Sequence, residues 1–378
     1  MSDRLHFGLT KRPMRVCYFA VGGFSLNSGF HQKISATTRL WQQLGVDVVF
    51  SLGARQGSEA EMDARRGIPN NETFWFWSWR NGITRVYQEY LISRRILEWK
   101  PDIVYLRNSH YSPGILPLIK AAPTIIELNT KDDIERRGYG FPHYAYFRLS
   151  SAYLYPRASG FVAVTKEISA IDRIAKTGKP VTVISNGISL KDYNVLSPSA
   201  ERRPTLVMLA CGQFPWHGVD KLEILARTFP DWTIELIGDY KLPDSLLACP
   251  NVRVHGFLPP SEFRSILARS HVGIGSLALH RIGLVEACPL KTREYLASGL
   301  PMFLGYEDTD FPNGSEFLLQ IGNHEDNVRN SIDRIRQFVE YWMNRRVQHS
   351  QVSTIDSISK EQKRLAFFSS FTGLEQHR

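Results

Sequence analysis

LSPSAERRP, residues 196–204, is a polar stretch marked by two prolines, and it parts two runs of one pattern. Upstream, the apolar runs RVCYFA (15–20), VDVVF (46–50), IVYL (103–106), TIIEL (124–128), FVAV (161–164) and VTVI (181–184) alternate with helix-length segments, the first at 30–44. Downstream the alternation restarts, with strands expected at 206–211, 233–237, 252–255, 272–275 and 302–304 and helices at 219–227, 260–269 and 289–297. Strands this apolar, spaced by helices, indicate parallel sheets covered on both faces. The expected fold is α/β: two Rossmann-like domains with parallel sheets facing across a cleft. The division expected is 1–198, 199–350 and a C-terminal helical segment, 351–378, that returns to the first domain. Ligands in such sheets bind beyond the carboxyl ends of the strands, so the loops there are where chemistry is sought.

The bulk numbers agree with a two-domain protein. The chain has 378 residues, 43% hydrophobic and 22% charged, enough to bury two cores. Its formal net charge of +9 favours anionic partners such as phosphorylated substrates or acidic lipid. No nucleic-acid-binding module appears, and the basic residues form no single run, so nucleic acid is not an expected partner. Cys17, Cys211, Cys249 and Cys288 make no Cys-x-x-Cys pair, which argues against a zinc site, and are too few for a disulfide scaffold, which fits a reducing compartment. The polar segment 1–14 does not read as a signal peptide, and no apolar stretch reaches 18 residues, so a cytoplasmic location is expected, with any membrane contact peripheral, on the inner face of the cell membrane.

The segment richest in chemistry is EACPLKTREYLASGLP, 286–301. Pro289 suits the first turn of a helix, and Gly299 with Pro301 suits its end. The free N–H groups and positive dipole end then make an anion site at Leu290 and Lys291, to which Lys291 adds a full charge. Glu286 precedes that site and Glu294 follows it. A nucleotide sugar has the matching order of sugar, diphosphate and ribose, and carboxylates accept hydroxyl hydrogen bonds strongly.

This segment resembles the Glu-x7-Glu signature of the family 4 (group 1) retaining glycosyltransferases, which have the GT-B fold. VISNG (183–187) followed by Ile188, the loop Gly22–Gly23 with SGFHQK (28–33), PDIVYLR (101–107), ELN (127–129) and VHGF (254–257) are similar in kind to other segments of that family. The run 286–300 with GYEDTDF (305–311) looks most like enzymes that build bacterial surface polysaccharides. The resemblance implies transfer of a hexose-type group, with retention, from a nucleotide diphosphate sugar to a saccharide or lipid-linked saccharide, without a metal or other cofactor. It gives Glu286 the donor sugar, Glu294 the ribose, and Lys291 with the amide of Leu290 the diphosphate. Gly22 and Gly23 would lie by the phosphate and acceptor, and Gly212, Gln213 and Phe257 would join the nucleotide-sugar site. Gln213 and His217 stand where the family often has an arginine and a lysine; Gln213 brings less charge, and His217 is the third catalytic candidate beside Glu286 and Lys291. Two rival readings remain: a nucleotide-sugar hydrolase or epimerase of the same fold, and a non-catalytic sugar-nucleotide-binding protein.

Three further features are open. Asp308-Thr309-Asp310 resembles the metal-binding Asp-x-Asp of a different glycosyltransferase fold, but a helix dipole and basic side chains make a metal unnecessary here. FWFWSW (74–79) precedes a helix expected at 83–99, whose Ile83, Val86, Tyr87, Tyr90, Leu91 and Leu97 recur at helical spacing near Arg80, Arg85, Arg94 and Arg95. That pattern reads equally as a core helix with a basic outer face and as a patch for an anionic membrane surface. The aromatics of 139–155 suit packing better than sugar stacking, and among His31, His110 and His143 only His110 follows a strand end directly.

Overall fold

The computed structural model describes residues 12–22, 29–58, 61–62, 73–138, 140–210 and 213–373. Seven strands form one sheet: β1 (Arg15–Val21), β2 (Asp47–Arg55), β3 (Phe74–Trp79), β4 (Ile103–Arg107), β5 (Thr124–Leu128), β6 (Gly160–Ala163) and β7 (Val181–Val183), in the order β3-β2-β1-β4-β5-β6-β7. A second sheet contains β8 (Thr205–Leu209), β9 (Thr233–Ile237), β10 (Val252–Val254), β11 (Val272–Ile274), β13 (Met302–Leu304) and β15 (Leu318–Gln320), in the order β10-β9-β8-β11-β13-β15. Two-residue strands β12 (Glu286–Ala287) and β14 (Glu307–Asp308) pair separately, with Glu286 opposite Glu307. The described pairs are parallel, and the α/β fold with two parallel sheets is as the alternation predicts. Chain order reverses between β1 and β4 in one sheet and between β8 and β11 in the other. Strands β12, β14 and β15 were not expected, because two or three residues carry too little periodicity to be read.

Contacts group the chain into two units: 1–127, 141–161 and 365–378 in one, 128–140 and 162–364 in the other. In the first unit, Tyr18, Trp41, Tyr105 and Phe368 pack as one aromatic cluster, with ring centroids 4.9 Å apart for Tyr18–Tyr105 and 5.6 Å for Trp41–Phe368. Glu127, buried at the end of β5, accepts from Tyr18 Oη at 2.5 Å and pairs with Lys33 at 2.7 Å. FWFWSW is edge strand β3; Trp77 turns inward against Phe19 and occupies the space beside Gly53, where a Cβ would stand 2.3 Å from its ring.

The helix after β3, Gly82–Trp99, starts at a capping box in which Asn81 Oδ1 accepts from Thr84 N and Thr84 Oγ1 from Asn81 N. It buries Glu89, Ile92, Ser93 and Ile96 and leaves the expected apolar stripe, apart from half-buried Leu97, in solvent: Ile83 is 84% exposed and Tyr87 59%. The core-helix reading of that stripe is therefore corrected. On the buried face, Glu89 Oε1 accepts from Arg85 at 2.7 Å while its Oε2 has no partner among the described residues, and Ser93 donates to the Gly114 carbonyl. Gly114 lets the turn Pro113–Ile115 reach the helix backbone: a Cβ there would lie 2.3 Å from Val86 O.

In the second unit the stretch 196–204 is not a free linker. Leu196 N donates to Ser298 O, Ser199 Oγ to Arg269 O and Arg346 to Ser197 O, so it is sewn to the sheet's helices. No helix among the described residues is long and apolar enough to cross a membrane.

Candidate active site

The reversal between β8 and β11 is where an α/β sheet opens a crevice at its carboxyl edge. Just beyond it, the 3₁₀ turn Pro215–His217 is fastened by Leu277 N donating to His217 O and Ala278 N to Trp216 O. Gly218 closes the turn at φ +67°, and a Cβ there would meet Leu277 Cβ at 2.9 Å, so both conformation and space call for glycine. The turn aims His217 at Lys291. Lys291 Nζ donates to the Leu209 carbonyl that ends β8, at 3.0 Å, and lies 3.3 Å from His217 Nδ1. An ammonium only donates, so Nδ1 accepts and the neutral ring carries its proton on Nε2.

Lys291 sits in the helix Leu290–Ala297, whose N-cap is Pro289 in extended conformation, one residue later than the sequence suggests. No side chain caps that end, and the amides of Leu290 and Lys291 have no acceptor inside the helix. Beyond Lys291 the helix buries Thr292, Arg293, Tyr295, Leu296 and Ala297 and leaves Glu294 half-buried. Arg293, fully buried, binds Asp308 through two bonds of 2.7 and 3.1 Å, Asp310 at 2.6 Å and the Asn186 carbonyl at 2.9 Å. Asp310 also receives Lys360 at 2.7 Å and Ser185 Oγ at 2.7 Å. The carboxylates of the Asp-x-Asp run are thus engaged by side chains of the protein. Since Asp308 belongs to β14, which pairs with β12, this network ties the helix to the strand that carries Glu286.

Glu286 Oε2 accepts from Glu167 N at 3.1 Å, while Glu167 Oε2 accepts from Val285 N at 2.9 Å and Glu286 N at 3.2 Å. Each glutamate holds the other's backbone. Lys131 Nζ stands 3.8 Å from Glu167.

Glu286, His217, Lys291, Lys131, Asn186 and Tyr306 line a pocket of about 230 Å³. Asn186 Oδ1 is buried there without a hydrogen-bond partner among the described residues. Such a group costs free energy unless a ligand meets it. The three catalytic candidates therefore meet in one cavity, and the other site residues are distributed around or away from it. Leu290 opens the helix beside the pocket. Glu294 does not line it; Oε2 accepts from Tyr193 Oη at 2.6 Å, and Arg264 lies 5.1 Å over the Tyr193 ring. Burial lifts the Glu294 carboxyl above its usual range, opposed by the Tyr193 bond and Arg264, and burial likewise pushes Tyr193 upward. Gln213 is exposed and spans to the loop after β9, donating to Asp239 O and accepting from Lys241 N. Phe257 is 52% exposed, just past Gly256, whose carbonyl accepts from Gly238 N. Gly22 follows β1 in the first unit with φ +73° and open space at its Cβ position. Gly23 and Gly212 lie outside the described residues.

Glu167, Lys131 and Tyr306 are pocket-side residues the sequence did not single out. Tyr306 stands within GYEDTDF and Asn186 within VISNG, both quoted for other reasons; nothing in the short helix Lys166–Ser169 marks Glu167.

A model of the family described as Glycosyltransferase Family 4 matches residues 34–192. No curated protein sequence matches the chain. Solved structures are similar over nearly its whole length. The apo form of a lipopolysaccharide outer core galactosyltransferase, WaaB, has a TM-score of 0.61 at 14% identity, covering 94% of this chain and 100% of that one. HepE of Anabaena in complex with UDP and glucose has 0.65 at 13%, with the same two coverages of 94% and 100%. The fold is that of the GT-B glycosyltransferases. A putative UDP-N-acetylglucosamine 2-epimerase from Listeria monocytogenes also resembles the chain, with a TM-score of 0.53 at 14% identity over 97% of this chain and 98% of that one. At these identities the likeness speaks for the GT-B architecture, and the chemistry must be argued from the pocket.

Proposed function

We propose that the protein transfers a sugar, with retention, from a nucleoside diphosphate sugar to a hydroxyl of a saccharide or lipid-linked saccharide during polysaccharide assembly. The reaction takes place in the cytoplasm, at the inner face of the cell membrane. The observation that carries this reading is the meeting, at the β8/β11 reversal, of an uncapped helix start, Lys291, His217 and Glu286 around one pocket. Positive charge from Lys291 and the amides of Leu290 and Lys291 receives the diphosphate and stabilises it as it departs. Glu286 accepts hydrogen bonds from the sugar hydroxyls, and the His217 Nε2–H donates to a phosphate or sugar oxygen. No metal is called for, because these groups supply the countercharge. Glu294 takes the ribose hydroxyls by sharing or replacing the Tyr193 bond, and Phe257 and Gln213 flank the nucleoside. A phosphate oxygen of the leaving group takes the acceptor's proton as the new glycosidic bond forms on the same face.

A thermal-shift panel with UDP, GDP and ADP sugars tests donor binding: the matching donor at a hundred times its dissociation constant adds about 2.7 kcal/mol. Turnover of labelled donor with a saccharide acceptor then tests transfer. Wild type forms glycosylated acceptor, and Glu286→Gln lowers the rate about 100-fold or more with the fold intact. Free sugar released at full rate without acceptor, or an epimerised nucleotide sugar, would replace transfer by a hydrolase or epimerase. Donor binding with no turnover, unchanged in Glu286→Gln, would reduce the protein to a binding module.

A further inference from the structure

The first unit carries an apolar surface that its own core does not use. On the helix Gly82–Trp99, Ile83, Val86, Tyr87, Tyr90 and Leu91 share one face and are 84%, 37%, 59%, 45% and 42% exposed. On the helix Phe141–Leu154, Phe141 and Leu149 are 78% and 73% exposed, with Tyr146 and Tyr153 beside them at 48% and 36%. The two helices flank one loop: Arg85 donates to His110 O at 3.0 Å, and Tyr146 Oη to the neighbouring Tyr111 O at 2.6 Å. Their outward residues therefore belong to one region of surface. Apolar exposure on this scale marks an interaction site rather than ordinary scatter.

The charges around it have one dominant sign. Arg80, Arg94, Arg95, Lys100, Arg148 and Arg157 are exposed, and Glu98 is the exposed acid on these two helices. Arg95 lies 4.4 Å over the Trp75 ring and Arg157 3.6 Å over Tyr153, so the cations rest on aromatic faces at the margin of the apolar stripe. Aliphatic and aromatic side chains along one face, tyrosines and tryptophans at its edge and arginines around it match the layers of a bilayer interface: acyl chains, carbonyl region and anionic headgroups. A soluble partner that is not acidic would explain the apolar stripe but not the mainly basic rim, and the ordering of apolar, aromatic and cationic layers favours a lipid surface. We propose that these two helices dock the protein on an anionic lipid surface. The inference deepens the reading of a lipid-linked acceptor by naming where the membrane is met, and it rests on that reading only for its purpose.

Co-sedimentation of the full chain with vesicles of phosphatidylcholine, alone or mixed with phosphatidylglycerol, tests the proposal. Wild type partitions at least about tenfold better onto the mixed vesicles, and the preference fades at high salt. Ile83→Asp with Leu149→Asp lowers partitioning about tenfold or more, since each reverses an apolar contact, and Arg94→Gln with Arg95→Gln does so by loss of charge. Melting curves establish that the variants fold. Absence of wild-type binding, equal binding to both vesicles, or binding unchanged in Ile83→Asp with Leu149→Asp overturns the inference. So does a dimer, seen by light scattering and dissolved by the same pair of changes, with no vesicle binding. Vesicle binding is read without turnover, and transfer to a water-soluble acceptor is read without vesicles, so this inference and the proposed function can fail separately.

Discussion

The helices Gly82–Trp99 and Leu290–Ala297 use the same backbone for opposite ends. The first, of 18 residues, turns a row of large apolar side chains to solvent and seats Glu89 and Ser93 against the turn Pro113–Ile115. The second, of eight residues, buries Arg293 completely and brings Lys291 to the pocket from its first turn. Each inverts the rule that apolar residues face inward, and in each the inversion is compensated locally: Arg85 answers Glu89, and Asp308 with Asp310 answers Arg293. Buried charge is tolerated where its partners arrive with it. The exposed apolar row has no such partner among the described residues.

The comparison is broken most forcefully at Arg293. Arg293→Met leaves Asp308 and Asp310 buried with less compensation and costs about 3–5 kcal/mol in urea unfolding; a loss below 1 kcal/mol would mean that the network does not hold the helix. Next, on the exposed helix, Ile96→Ala opens a cavity at a fully buried position and costs about 2–4 kcal/mol by the same measurement. Glu294 gives a smaller, pH-dependent effect. Its raised folded pKa means that the native state holds the proton more tightly than the unfolded chain, so this contribution is full below the ordinary carboxylate pKa and is lost as pH rises through the folded value. Glu294→Gln should therefore flatten the fall in melting temperature above about pH 4.5, and an unchanged slope would remove burial as the cause. The smallest effect belongs to the stripe: Ile83→Ser should change stability by no more than about 0.5 kcal/mol, against the large loss at Ile96. A comparable loss at both would show that the stripe is part of the core.

Most strands of the two sheets, though not β3 or β15, were legible because a buried parallel strand is largely apolar, and Thr124–Leu128 and Thr233–Ile237 match to the residue even though each carries one buried glutamate. The pocket was half legible. Glu286 and Lys291 could be singled out because a proline start, a lysine and flanking carboxylates are local in sequence, whereas His217 was reached only through the family resemblance. Glu294 sits against Tyr193, which is 101 positions away, and Glu167 reaches Glu286 across 119, so no local spacing reports either contact. Helical periodicity at 83–97 identified the helix correctly and said nothing about which side faces the sheet. That was decided by Gly114 and by the few polar groups able to find partners beneath it.

The missing side chain at position 114 has an evolutionary corollary. With the turn pressed directly onto the carbonyl of Val86, the long surface helix has no room to roll about its axis and withdraw its greasy side. Substitutions along that side can accumulate one at a time without disturbing the seat, whereas a mutation of the glycine itself would have to reposition the whole element. Lineages that abandon the outer contact should thus lose the stripe by drift while retaining the glycine.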